Sequence, residues 1–120
     1  MSDQISKLPP QVQERLLRFQ QLQQTMQSVL AQKQQIEMEK TEVEQTLNEL
    51  QKTADDAVIY KTAGSLLIKA EKTKLTEELV ERKELLNTRS TVITRQEERL
   101  RTQVKEAQTK LQADLKPVSQ

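Results

Sequence analysis

The stretch VIYKTAGSLLIKA, residues 58 to 70, decides the fold, because it sets β-branched and aromatic residues on both sides of the chain's single glycine. Val58, Ile59, Tyr60 and Thr62 lead into Ala63, Gly64 and Ser65, and Leu66, Leu67 and Ile68 follow. Such side chains fit a pleated strand, and glycine supplies the positive φ of a tight turn, so the segment predicts a β-hairpin. A helix running straight through is the competing reading, and Gly64 with its β-branched neighbours opposes it. An isolated two-stranded hairpin is marginal in water and has two open edges. This one carries Val58, Ile59, Tyr60, Leu66, Leu67 and Ile68 with little else in the chain to cover them. The economical resolution is oligomerisation, with several hairpins paired into a shared sheet or β-barrel.

Upstream, no glycine or proline occurs between Pro10 and Gly64, and residues 11 to 57 are mostly strong helix formers. One helix is predicted there, with Pro9 and Pro10 suited to its first turn. Val12, Phe19, Met26, Lys33, Lys40, Leu47 and Ala54 form one seven-residue series. Arg15, Leu22, Val29, Ile36, Val43, Leu50 and Ala57 form a second, and eleven of these fourteen positions are apolar. That is coiled-coil spacing, weakened at Arg15, Lys33 and Lys40. Downstream, residues 73 to 115 resume the helical pattern, with Thr73 a plausible N-cap and Pro117 the stop. Leu79, Leu86, Ile93, Leu100 and Ala107 make an apolar row, beside companions read as Arg82, Arg89, Gln96 and Gln103. Facing residues of an antiparallel pair have position numbers of near-constant sum. Pairs such as Leu16 with Leu111, Val43 with Leu86 and Leu50 with Leu79 sum to between 126 and 129. The fold class is therefore mostly α: a long antiparallel two-helix coiled coil with one β-hairpin at the bend, a single domain over residues 1 to 120. Residues 1 to 9 and 116 to 120 are expected to be flexible termini.

Composition narrows the function. Nineteen basic residues balance eighteen acidic ones, and neither sign gathers into a long block, so nucleic acid and anionic membrane are poor partners. No apolar run is long enough to span a bilayer, and MSDQISKLPP lacks the apolar stretch of a signal peptide, so a cytoplasmic location is expected. With no cysteine and no histidine, the chain lacks the commonest metal ligands and the commonest acid–base group. Glu77 with Glu78 and Glu97 with Glu98 are adjacent carboxylates, but helix neighbours diverge by about 100° and read as solvated faces. No glycine-rich phosphate loop exists. No catalytic residue, cofactor or metal is expected.

Apolar residues near both chain ends exceed what a two-helix seam needs. Leu8, Val12, Leu16, Leu17, Phe19, Leu111, Leu115 and Val118 are candidates for an adhesive surface, although scattered exposed leucines are ordinary. Val58, Ile59, Tyr60, Gly64, Leu66, Leu67 and Ile68 are the candidate oligomerisation residues.

The segment from Asp55 to Lys69, DDAVIYKTAGSLLIK, resembles the central signature of β-class prefoldin subunits, with Ile59, Tyr60, Lys61, Gly64, Leu66 and Leu67 in its pattern. The RQEERL stretch from Arg95 to Leu100 extends the likeness. The resemblance implies an ATP-independent chaperone: a hexamer of two α-class and four β-class subunits whose hairpins form a double β-barrel. It also implies that unfolded proteins are held at the coil tips and passed to a group II chaperonin. A structural coiled-coil adaptor that binds one folded partner is the alternative function.

Overall fold

The structure is a computed structural model that describes residues 7 to 115. Helix α1 spans Pro10–Lys52, strands β1 and β2 span Ile59–Ala63 and Leu66–Ala70, and helix α2 spans Lys72–Leu115. The expected flexible segments lie largely outside the described residues, as does Val118.

Helix α1 opens as its prolines dictate. Pro10 takes the first helical position, where no N–H is needed, and the Pro9 carbonyl accepts bonds from the amides of Val12 and Gln13 at 2.9 and 3.0 Å. The helix ends at Lys52, five residues before the expected Ala57, so Ala54 and Ala57 leave the seam and are exposed. Thr53 turns its hydroxyl onto the Glu49 carbonyl at 2.8 Å while its amide makes a tightened bond to Leu50 at 3.1 Å. Lys72 then donates to the Thr53 carbonyl at 2.7 Å, placing a cation at the negative end of α1, and pairs with Asp55 at 3.0 Å. Helix α2 begins at Lys72, one residue earlier than expected. The Glu71 carbonyl accepts the first helical bond, from the Leu75 amide at 2.9 Å, so Thr73 lies inside the first turn and is not the cap.

The chain divides into two compact units, one built from the residues up to Lys33 with those from Ile93 onward, the other from Gln34–Val92. In the first, Val12, Leu22, Val29, Ile93 and Leu111 are buried. In the second, Val43, Leu50 and Leu86 are, and Leu86 is wholly enclosed at 0% exposure. The seam row of α1 is therefore as expected through Leu50. On α2 the row through Leu79, Leu86, Ile93, Leu100 and Ala107 also packs inward, but its companion row is a different one. Lys83, Ser90, Glu97, Val104 and Leu111 are buried or half-buried, whereas Arg82, Arg89, Gln96 and Gln103 are exposed. A heptad row has neighbours at both three and four residues, and the sequence reading took the wrong one of the two. Burial of Val104 and Leu111 favours the second.

Candidate interaction surfaces

The hairpin is built by its turn. Ala63 pairs with Leu66, leaving Gly64 and Ser65 as a two-residue loop. Gly64 has φ of 62° and, among the described residues, no non-glycine residue has positive φ, which is the type II′ arrangement that matches strand twist. Facing pairs share a side of the ribbon, so the register sorts the side chains into two faces. Ile59, Lys61, Ala63, Leu66, Ile68 and Ala70 form one; Tyr60, Thr62, Leu67 and Lys69 form the other. On the first face Lys61 reaches Glu78 of α2 at 2.9 Å, and Ile68 and Ala70 line a cleft with Leu75.

Most of the hairpin's apolar surface is uncovered. Leu67 is 71% exposed and Leu66 65%; Val58, Tyr60 and Ile68 are exposed as well, and only Ile59 is half-buried. The sheet contains two strands, so each is an edge with a free row of backbone groups.

Near the chain ends the candidate residues separate. Leu17 and Leu115 are exposed, and Leu8, Leu16 and Phe19 are half-buried. Val12 and Leu111, at 9% and 7% exposure, pack in the seam and offer a client almost no surface. Sequence reasoning missed the exposed Met38, Val80, Leu85 and Val92, which lie off the seam rows.

The seam's polar residues are paired. Glu97, expected on a solvated face, is buried at 6% exposure, accepting from Lys33 at 2.7 Å and Arg101 at 2.8 Å. These hydrogen bonds, Lys33's foremost, hold its carboxyl below the ordinary value of 4.5. Arg15 donates to both oxygens of Asp114, at 2.6 and 2.5 Å, fixing the start of α1 beside the end of α2. Ser90 donates to Glu37 at 2.9 Å and Arg82 pairs with Glu39 at 3.2 Å. The adjacent carboxylates do not converge: Glu97 turns into the seam, and Glu98 is exposed. Among the described residues no helix is long and apolar enough to cross a membrane.

Two long helices joined through an open-edged hairpin, with charged pairs in the seam and apolar side chains left outside it, define a helical interaction subunit whose unmet surfaces call for other chains. The sequence profile of the prefoldin subunit family matches residues 13 to 117. A prefoldin subunit beta of Methanosarcina acetivorans is 44% identical over 115 residues, covering 96% of this chain and 98% of that one. One from Pyrococcus furiosus is 41% identical over 113 residues, covering 94% and 97%. The crystal structure of the prefoldin beta subunit from Thermococcus strain KS-1 superposes with a TM-score of 0.81 at 40% identity, over 93% of this chain and 98% of that one. The chain belongs to the prefoldin subunit family, and its relatives here are of the beta class. Prefoldin subunits are chaperones rather than enzymes, and they assemble with other prefoldin subunits.

Proposed function

We propose that this chain is the β-class subunit of a cytoplasmic, ATP-independent holding chaperone, and that it captures unfolded proteins on exposed apolar side chains and passes them to a group II chaperonin. Leu17 and Leu115 are the centre of the client surface, with Leu8, Leu16 and Phe19 at its margin; Val118 belongs to the same proposal. Val12 and Leu111 serve this surface by holding the helices together. The hairpin residues Val58, Ile59, Tyr60, Leu66, Leu67 and Ile68, turned by Gly64, join two α-class and four β-class subunits through a shared barrel.

The observation that carries this reading is the exposure of large apolar residues on the helix surfaces, with Leu16 and Leu17 beside a shallow, open hollow. Leu17 is 57% exposed and Leu115 52%. Full burial of such a side chain contributes about 1.5–3 kcal/mol, so each partial contact supplies about 1–2 kcal/mol. Holding then comes from many weak contacts, which suits unrelated clients. An adaptor for one folded partner would bind saturably and would not suppress aggregation of unrelated proteins. The test is light scattering by a heat-unfolded client mixed with the intact assembly or with one lacking residues 1 to 17 and 112 to 120. Intact assembly should suppress scattering and the truncated one should not. Full protection by a truncated protein that still assembles would move the client surface elsewhere.

A further inference from the structure

Folding sorts charge that the linear sequence disperses. Residues 7 to 33 and 93 to 115, within one compact unit, carry nine basic side chains against five acidic ones, whereas residues 34 to 92 carry nine against twelve. In the first unit Asp114 is neutralised by Arg15, and Glu97 by Lys33 and Arg101. Among the described residues, Lys7, Arg18, Arg95, Arg99, Lys105 and Lys110 form no ion pair, against Glu14, Glu98 and Glu106 on the acidic side. Helix α1 has no acidic residue between Glu14 and Glu37.

The same unit contains a groove. Ala107 stands in the α2 row that Ile93 and Leu100 fill with branched side chains, and its short side chain leaves a gap opposite α1. The gap is about 300 Å³ and is lined by Arg15, Arg18, Leu22, Glu106, Ala107 and Lys110. That is the low end of the range for ligand pockets, suited to a side chain or two of an extended segment. Its apolar lining is the half-buried Ala107 and the edge of Leu22, which is 8% exposed, and its unpaired cations are Arg18 and Lys110.

We infer that this groove selects, among unfolded segments, those in which an apolar residue is flanked by carboxylates. The apolar side chain packs on the half-buried Ala107, with Leu22 adding only a small edge, and the neighbouring carboxylates reach Arg18 and Lys110. A phosphate backbone fits less well, because it has no apolar group for the floor and Glu106 lies in the lining. The inference rests on the holding function proposed above and adds a charge preference to it.

Three unstructured fluorescein-labelled peptides with one apolar centre, flanked by Asp, Gln or Lys, test this by anisotropy against the full chain. The acidic peptide should bind about five- to tenfold more tightly than the basic one at 50 mM salt, since exposed ion pairs are individually weak. The difference should shrink towards parity at 500 mM. Arg18→Glu combined with Lys110→Glu should invert the order, and Ala107→Leu, which fills the groove, should weaken the acidic and neutral peptides together. Circular dichroism confirms that the helices persist in both variants. Equal affinities for the three peptides, or an order unchanged by the double reversal, would overturn the inference. An oligothymidine that displaces the acidic peptide at equal concentration would overturn it in favour of nucleic acid. If client aggregation is still suppressed while the peptides bind equally, the charge preference fails and the holding function stands.

Discussion

Leu66 and Leu67 are neighbours on β2 that face opposite sides of the ribbon, so an aspartate at each position distinguishes the two faces in assembly. Leu66 is 65% exposed and Leu67 71%, which leaves about two-thirds of a leucine's 1.5–3 kcal/mol, or about 1–2 kcal/mol per copy, to be gained when a partner covers either. Aspartate forfeits that gain and adds a carboxylate to be desolvated. At position 67 the new charge shares its face with Lys69, which forms no ion pair among the described residues. At position 66 the nearest cation on the same face is Lys61, already engaged by Glu78 at 2.9 Å. Leu66→Asp therefore buries an uncompensated charge, a further cost of about 1–3 kcal/mol or more. Leu67→Asp should raise the assembly midpoint about tenfold, and Leu66→Asp by about a hundredfold or beyond. Sedimentation over a dilution series reads both, and circular dichroism at 222 nm should show the helices intact. Assembly of Leu66→Asp at wild-type concentrations would refute the argument that hairpin burial drives association, and equal disruption by the two variants would refute the assignment of faces.

Leu86→Ala, at the one side chain wholly enclosed among the described residues, should cost about 2–5 kcal/mol and lower the melting temperature by roughly 8–20 °C in a thermal scan followed at 222 nm; a change under 2 °C would mean that the seam collapses around the cavity. Gly64→Ala meets no atom within 4 Å of the added Cβ, so only the strain of φ at 62° counts, about 1–2 kcal/mol. Its assembly midpoint should rise by roughly tenfold with helicity unchanged, and an unaltered midpoint would show that the turn relaxes freely. Because Glu97's folded carboxyl lies below its ordinary 4.5, its stabilising contribution is complete above that pH and is lost as pH falls through the folded value. The urea midpoint of the wild type should therefore fall more between pH 6 and pH 3 than that of Glu97→Gln, and parallel curves would exclude Glu97 as a source of the acid sensitivity.

The hairpin and the α1 seam were legible because each rests on a single local signal: the only glycine among β-branched residues, and a sustained heptad. The α2 seam was half legible. Ser90 and Glu97 are polar residues that pack inward because Glu37, Lys33 and Arg101 receive them, and those partners lie on other turns or on the other helix. Periodicity counts apolar residues and does not register a polar pair that satisfies itself. The end of α1 was misplaced for a related reason. Residues 53 to 57 have no helix breaker, and the group that meets the end of α1, Lys72 on the Thr53 carbonyl, comes from beyond the hairpin. Among the proposed client residues, Val12 and Leu111 were apolar and near the ends, but only the packing of both helices separates them from Leu17 and Leu115.

The polar seam also bears on why exposed apolar surface does not lead these coils into mispairing. A seam of leucine alone would accept a neighbouring chain's helix in several registers, each one heptad apart. Here a slide of seven residues in either direction brings Lys33 opposite Ser90 or Val104 in place of Glu97, and it takes Asp114 away from Arg15. In the slide that sets Lys33 opposite Ser90, Glu97 would face Met26 and lose Lys33, the partner that does most to hold its carboxyl ionised, whereas the opposite slide offers it Lys40. Removing one partner of a buried pair is strongly destabilising even where the intact pair adds little net stability. The ion pairs therefore act against wrong registers more than for the right one. The hairpin, whose exposed apolar side chains and open strand edges carry no such discrimination, is therefore the surface we propose for joining subunits.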